Sequence, residues 1–102
     1  MEFKKMQKEV LNTALRYGEK YNIKIDQDFA LLKLQEEMGE FMQAMLIYKK
    51  KSRPEKYTSE EEVKKQLSHE MADLLGMVLV NAHLFDIDLE KAIEEKWINR
   101  NK

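Results

Sequence analysis

Chain breakers are scarce here: three Gly and a single Pro serve 102 residues. With so little turn material the chain must fold into few elements, each of them long. Its periodicity says which kind. No segment alternates apolar and polar residues as a strand does, and four segments carry helical spacing instead. The first runs from about Glu2 to Tyr21, where Phe3, Met6, Val10, Leu11, Ala14 and Tyr17 recur at three- and four-residue steps. "NIKIDQD" follows as a connector, offering Asp26 or Asp28 as an N-cap. The second helix is expected from about Phe29 to Lys50, with Leu31, Leu34, Met38, Phe41, Met42 and Met45 on one buried stripe. "KKKSRPEKYTS" holds the only Pro and is the one clear loop. Ser59 with Glu62 then forms a capping box that opens a third helix, expected to reach Leu84. That helix is charged on most sides up to Gln66 and apolar almost all round from Leu67, which predicts burial on several faces. "FDID" breaks it, and Asp88 caps a short fourth helix. The expected fold is all-α with a four-helix-bundle core, in one domain spanning residues 1–102 without internal repeats.

Charge and composition remove several functions. The net charge is −1, from 18 basic and 19 acidic residues, so no global cationic field exists of the kind nucleic-acid binders use. The absence of Cys removes disulfides, thiolate metal sites and thiol nucleophiles, and fits a reducing cytoplasm. "MEFKKMQKEV" has no apolar signal-peptide core. The longest apolar run, "MVLVNAHLF", is broken by Asn81 and His83 and is too short to cross a bilayer. A soluble, cytoplasmic protein with neither nucleic-acid nor membrane partners is expected.

Two stretches carry acids where apolar neighbours say a helix is packing: "LQEEMGEFMQ", residues 34–43, and "LSHEMADLLG", residues 67–76. Glu37 and Glu40 fall about 60° apart on their helix, beside or behind the apolar stripe. Glu70 and Asp73 repeat that three-residue step. A carboxylate buried without a partner costs several kcal/mol. Asp73, among Leu74, Leu75, Met77 and Val78, is therefore expected to be buried and to need a counter-charge; Lys64 and Lys65 lie too early in the helix to supply it. A metal ion is the better candidate. Two such pairs on facing antiparallel helices gather four carboxylates, an all-oxygen set suited to Mg²⁺ or Mn²⁺ rather than zinc. A di-iron carboxylate bundle would need a Glu-x-x-His unit. The positions three before His69 and His83 hold Gln66 and Val80 instead.

The ordered set Glu36-Glu37-Met38-Gly39-Glu40, then Glu70-Met71-Ala72-Asp73, resembles the all-α nucleoside triphosphate pyrophosphohydrolases. That superfamily includes MazG-like proteins, dimeric dUTPases, dCTP pyrophosphatases and phosphoribosyl-ATP pyrophosphatase. The tail "FDIDLEKAIEEKWINRNK" is similar to the family's Asp-capped last helix, leading here to Lys96, Asn99 and Arg100. The linker between the motifs is long for the family.

The resemblance implies that Glu37, Glu40, Glu70 and Asp73 ligate Mg²⁺, with Glu36 as a supporting acid that helps orient the water or a second metal. It implies a reaction that splits a nucleoside triphosphate into monophosphate and pyrophosphate, in nucleotide-pool house-cleaning. Glu36, Glu37 and Glu40 are then the catalytic acids. Phosphate charge calls for cations, and Lys49, Lys50, Lys51, Arg53 and Lys56 in the loop, with Lys96 and Arg100 in the tail, are the candidates. Of the loop cations Lys49 and Lys51 are favoured for substrate binding, with Asn99 beside the tail cations. Asn81, on Glu70's face, is a candidate reader of a base edge, or else a buried amide at a helix contact. Phe29, Tyr48 and Trp97 are stacking candidates. A homodimer is the minimum assembly, and the resemblance favours a tetramer. Phosphoribosyl-ATP ranks below simple triphosphates as substrate, since nothing in the sequence points to the larger molecule. The rival from another class is a catalytically silent helical oligomer that regulates or binds a partner.

Overall fold

The computed structural model describes residues 1–100; Asn101 and Lys102, the end of the family-like tail, lie outside the described residues. Among the described residues there are four α-helices and no strand: α1 Phe3–Tyr21, α2 Gln27–Tyr48, α3 Glu60–Leu84 and α4 Leu89–Ile93. A single 3-10 turn, Pro54–Lys56, interrupts the loop, and a π-helical turn, Glu94–Ile98, continues α4. The caps follow the sequence signals. Asp26, Ser59 and Asp88 each accept a backbone N–H three residues on, from Phe29, Glu62 and Lys91.

The three long helices end alike, and none of them uses Gly. Asn22, Lys50 and Asp86 take left-handed φ of 55°, 57° and 56°. The residue after each returns its N–H to the last turn: Ile23 to the Gly18 carbonyl, Lys51 to Leu46, Ile87 to Ala82. Gly18 is needed for a different reason. A Cβ there would stand 2.6 Å from the Ile23 carbonyl oxygen and 2.7 Å from Ile25 Cγ1, so the connector folds back against bare backbone. Gly18→Ala is therefore expected to destabilise the protein by about 1–3 kcal/mol, the usual cost of overpacking. Thermal denaturation of the variant checks this; an unchanged Tm would mean that the connector moves freely.

α3 is the centre of the fold. α2 lies along it over most of its length, and α1 packs on its C-terminal half. The α2–α3 seam is antiparallel: Asn81 Nδ2 of α3 donates to the Ala30 carbonyl of α2 at 2.9 Å. Gln7 and Gln27 tie α1 and the start of α2 to the Leu79 and Leu84 carbonyls. Lys4 and Asp88 pair at 2.7 Å, linking α1 to the cap of α4.

The core is small and lies elsewhere than the apolar stripe of α2 predicts. The residues of α2 that are buried are Ala30, Glu37 and Ala44, at seven-residue spacing. Of the predicted stripe, Leu34, Phe41 and Met45 are half-buried, whereas Leu31, Met38 and Met42 are exposed. Small side chains at either end of the seam let α2 approach α3 along its acidic line, so the strongest apolar face turns outward. On α3, Leu79, Val80, Asn81 and Ala82 are buried, but Met71 and Leu75 stay half-exposed at 56% and 50%. Burial on several faces thus holds for the C-terminal end of α3 only.

Candidate metal centre and substrate cleft

Because the acidic line of α2 faces α3, Glu37 and Glu40 meet Glu70 and Asp73 across the seam. One carboxylate oxygen from each of the four lies within 4.8 Å of the others. The four differ in exposure, and not as the sequence predicts. Glu37 is the buried acid, at 7% exposure, while Asp73 is exposed. Leu74, Leu75 and Val78 lie on other faces of α3, whereas Asp73 shares a cleft wall with Met77.

Glu37 Oε2 and Glu70 Oε2 are both shut away from solvent without a hydrogen-bond partner. Burial, followed by the charges of Glu40 and Asp73, pushes the Glu37 carboxyl up to about 7, against an ordinary value of 4.5. Burial and the same two neighbours raise Glu70 as well. The nearest cation compensates little. Lys33 Nζ reaches Glu37 only at 4.0 Å and is held mainly by Glu36, which stands exposed and outside the four-oxygen cluster. Crowded, under-compensated carboxylates with two orphaned oxygens are what a divalent cation would satisfy. The donor set is all oxygen, which fits a hard ion.

Two recesses flank the cluster. A cleft of about 490 Å³ between α1, α2 and α3 takes Glu37 and Asp73 into its wall, with Val10, Tyr17, Phe29 and Met77 as apolar lining. The Tyr17 and Phe29 rings lie 6.4 Å apart, tilted by 36°. On the opposite side a recess of about 350 Å³ is lined by Glu40 and Glu70 together with polar side chains. Residues 5–98 match the family model described as Phosphoribosyl-ATP pyrophosphohydrolase. The chain belongs to that family. No curated protein and no solved structure matches it. The phosphoribosyl-ATP pyrophosphohydrolase family lies within the MazG-like all-α superfamily, and it indicates a pyrophosphohydrolase acting on a nucleotide.

The structure gathers some predicted site residues and leaves others apart. Glu37, Glu40, Glu70 and Asp73 form the cluster. Glu36 adjoins it through Lys33. Asn81 sits in the α2–α3 seam, its Nδ2 spent on the Ala30 and Met77 carbonyls and its Oδ1 buried without a donor. Lys49 lies over the Tyr48 ring, and neither Lys49 nor Lys51 lines a recess beside the acids. Lys96, Asn99 and Arg100 lie on or just after the π turn, and they too line neither recess. Of the stacking candidates, Phe29 faces the cleft, Tyr48 lines a separate hollow, and Trp97 is 76% exposed. Val10, Thr13 and Tyr17 wall the cleft, a role the sequence does not reveal. Their helical spacing shows only that α1 packs, not that it packs over the acidic cluster.

No helix among the described residues is long and apolar enough to cross a membrane.

Proposed function

We propose that this protein is a Mg²⁺-dependent pyrophosphohydrolase that converts a nucleoside triphosphate, ribo or deoxy, to its monophosphate and pyrophosphate. The observation that carries this is the buried Glu37, orphaned at one oxygen in a four-carboxylate cluster at the wall of an apolar cleft. Glu37, Glu40, Glu70 and Asp73 are the ligands. When bound, Mg²⁺, or Mn²⁺ in its place, screens the substrate's negative charge from these acids and acidifies a water.

The chain's own residues do the remaining work. Val10, Tyr17, Phe29 and Met77 receive the apolar body of the nucleoside and exclude water from the reacting phosphate. Glu36, outside the ligand set and anchored by Lys33, orients the attacking water and takes up its proton. The water oxygen bonds to the α-phosphorus as the bond to the bridging oxygen breaks, and that oxygen leaves with pyrophosphate. Lys49, Lys51, Lys96, Asn99 and Arg100 are proposed as phosphate contacts, and Asn81, closed into the α2–α3 seam, takes its other role as a buried amide at a helix contact. A cytoplasmic house-cleaning role for the enzyme belongs to the same reading.

Phosphoribosyl-ATP is the second substrate reading, and one observation favours it: the matching family model carries that description. Both readings break the same phosphoanhydride and are separated by one experiment, pyrophosphate release from a panel of nucleoside triphosphates and phosphoribosyl-ATP, in Mg²⁺ and then in EDTA. Release that needs Mg²⁺ and is lost in Asp73→Asn is the expected result, and the panel ranks the substrates. A folded protein that releases no pyrophosphate from any of them would favour the silent helical oligomer.

Assembly into at least a dimer, and by family resemblance a tetramer, is also proposed. The chain exposes 8060 Å². A compact protein of 12.2 kDa exposes about 6,000 Å². Its radius of gyration, 16.1 Å, likewise exceeds the roughly 13 Å of a compact chain this long. The surplus surface includes Leu31, Leu32, Met38, Met42 and Leu46 on the outer face of α2. Gly39 lies among them, with open space where a Cβ would stand. A mid-helix Gly costs about 1 kcal/mol relative to Ala, and nothing within this chain requires it. A close-packed second copy would.

A further inference from the structure

The four carboxylates stand at a divide between two unlike recesses. On the Glu37–Asp73 side is the apolar cleft walled by Val10, Tyr17, Phe29 and Met77. On the Glu40–Glu70 side the recess is lined by Gln43, Ser52, Lys56 and Gln66, groups that hydrogen-bond or carry positive charge, along with Leu46 and Ile47. We infer that the substrate lies across the cluster in one direction, nucleoside in the apolar cleft and leaving pyrophosphate in the polar recess, with Lys56 as the cation that receives it. This deepens the pyrophosphohydrolase reading and rests on it.

Chemistry separates the two ends of such a substrate. A base and sugar gain by burial against aromatic and aliphatic side chains. Pyrophosphate carries several negative charges and needs donors. The apolar cleft offers Lys33, but Glu36 and Glu37 already hold that ammonium. Lys56 has no carboxylate within 4.0 Å among the described residues. The amides of Gln43 and Gln66 and the Ser52 hydroxyl add neutral donors.

The loop that carries Lys56 is built to hold it there. Pro54 opens the 3-10 turn, in which the Lys56 N–H bonds the Arg53 carbonyl and the Tyr57 N–H bonds the Pro54 carbonyl, each at 3.0 Å. The Tyr57 hydroxyl donates to the Ser52 carbonyl at 2.6 Å and accepts from the Ser52 N–H at 3.3 Å, closing the loop into a ring. Three of its other cations are turned to different uses. Lys49 and Lys50 lie over the Tyr48 and Tyr57 rings at 6.0 and 4.8 Å, and Arg53 pairs with Glu55 at 3.6 Å. Of the five cations between positions 49 and 56, Lys56 alone lines the recess beside the acids.

The test compares Lys56→Met with Lys5→Met, an exposed lysine on α1 that lines neither recess. Inhibition of turnover by inorganic pyrophosphate, at fixed free Mg²⁺, is measured beside inhibition by the nucleoside monophosphate. Lys56→Met is expected to weaken pyrophosphate inhibition by about ten-fold or more, the worth of one charge-assisted contact. Monophosphate inhibition should stay within about two-fold, since that product sits across the divide and keeps its own contacts. Lys56→Arg should restore pyrophosphate inhibition, and Lys5→Met should change neither. Unaltered pyrophosphate inhibition in Lys56→Met, or weakening of the monophosphate alone, would overturn the direction. Should the wild type turn over no nucleotide, the parent reading fails separately. Calorimetric titration of Mg²⁺-pyrophosphate then decides for the recess: tighter binding by wild type than by Lys56→Met supports it, and equal or absent binding overturns it.

Discussion

Glu37→Gln is expected to abolish pyrophosphate release while making the metal-free protein more stable at pH 8. The two effects come from one feature, a carboxylate that the fold buries without compensating it. Changes to the groups that merely support a metal ligand commonly cost 10–100-fold, so loss of a buried ligand is expected to cost more than about 100-fold. The stability effect follows from the raised Glu37 carboxyl, at about 7 against an ordinary 4.5. Below pH 4.5 the group is protonated whether the chain is folded or not, and it contributes nothing. Between 4.5 and about 7 the folded chain keeps a proton that the unfolded chain has released, so stability falls as pH rises through that window. Above it the whole penalty is present, on the order of 3–4 kcal/mol at about 1.4 kcal/mol per pH unit. Glu70, raised for the same cause, acts with the same sign. In EDTA the wild type should therefore lose Tm from pH 5 to pH 8, and Glu37→Gln should lose less. Mg²⁺ should reverse the order at pH 8 by stabilising the wild type alone. If Glu37→Gln melts below the wild type at pH 8 in EDTA, the buried charge is already compensated and the case for a metal there collapses.

Met42→Glu is expected to dissociate the assembly. Met42 lies on the face of α2 turned away from the α3 seam, 44% exposed within one chain and flanked by Leu31, Met38 and Leu46. A stable interface buries about 800 Å² per partner, well inside the roughly 2,000 Å² by which this chain exceeds a compact one. A carboxylate in the centre of that contact would be desolvated without a partner, which costs several kcal/mol. Sedimentation at about 10 µM should give at least a dimer for the wild type and a monomer, with lower Tm, for Met42→Glu, a charge-in-the-interface effect. Gly39→Ala provides a second reading of the same face. In a monomer it should stabilise α2 by about 1 kcal/mol through helix propensity. Against a close-packed neighbour it should destabilise. A monomeric wild type combined with a stabilised Gly39→Ala would remove the second copy altogether.

Helix number, order and caps were legible in the residues because each depends on signals only a few positions apart. Asp26, Ser59 and Asp88 cap as their spacing says, and scarce Gly and Pro leave room for few breaks. The grouping of the four acids was legible too. Acids three apart on two helices share a face by geometry alone, and an antiparallel pairing brings those faces together. Which acid is buried was not. Asp73 is surrounded by apolar residues along the chain yet opens onto a cleft, whereas Glu37, in a more polar stretch, is sealed by the seam.

That difference marks what belongs to sequence and what to packing. Sequence by itself determined the helices, their ends and the acids that share a helix face, because these follow from local backbone geometry and spacing. Tertiary structure alone decided that α2 meets α3 along Ala30, Glu37 and Ala44 rather than along Leu31, Met38 and Met42. α2 carries two faces able to pack, and periodicity does not rank them. The choice depends on how closely α3 can approach, and small side chains at 30 and 44 let it come nearest on the acidic side. From that one choice follow the buried Glu37, the two unlike recesses beside it and the apolar face left exposed.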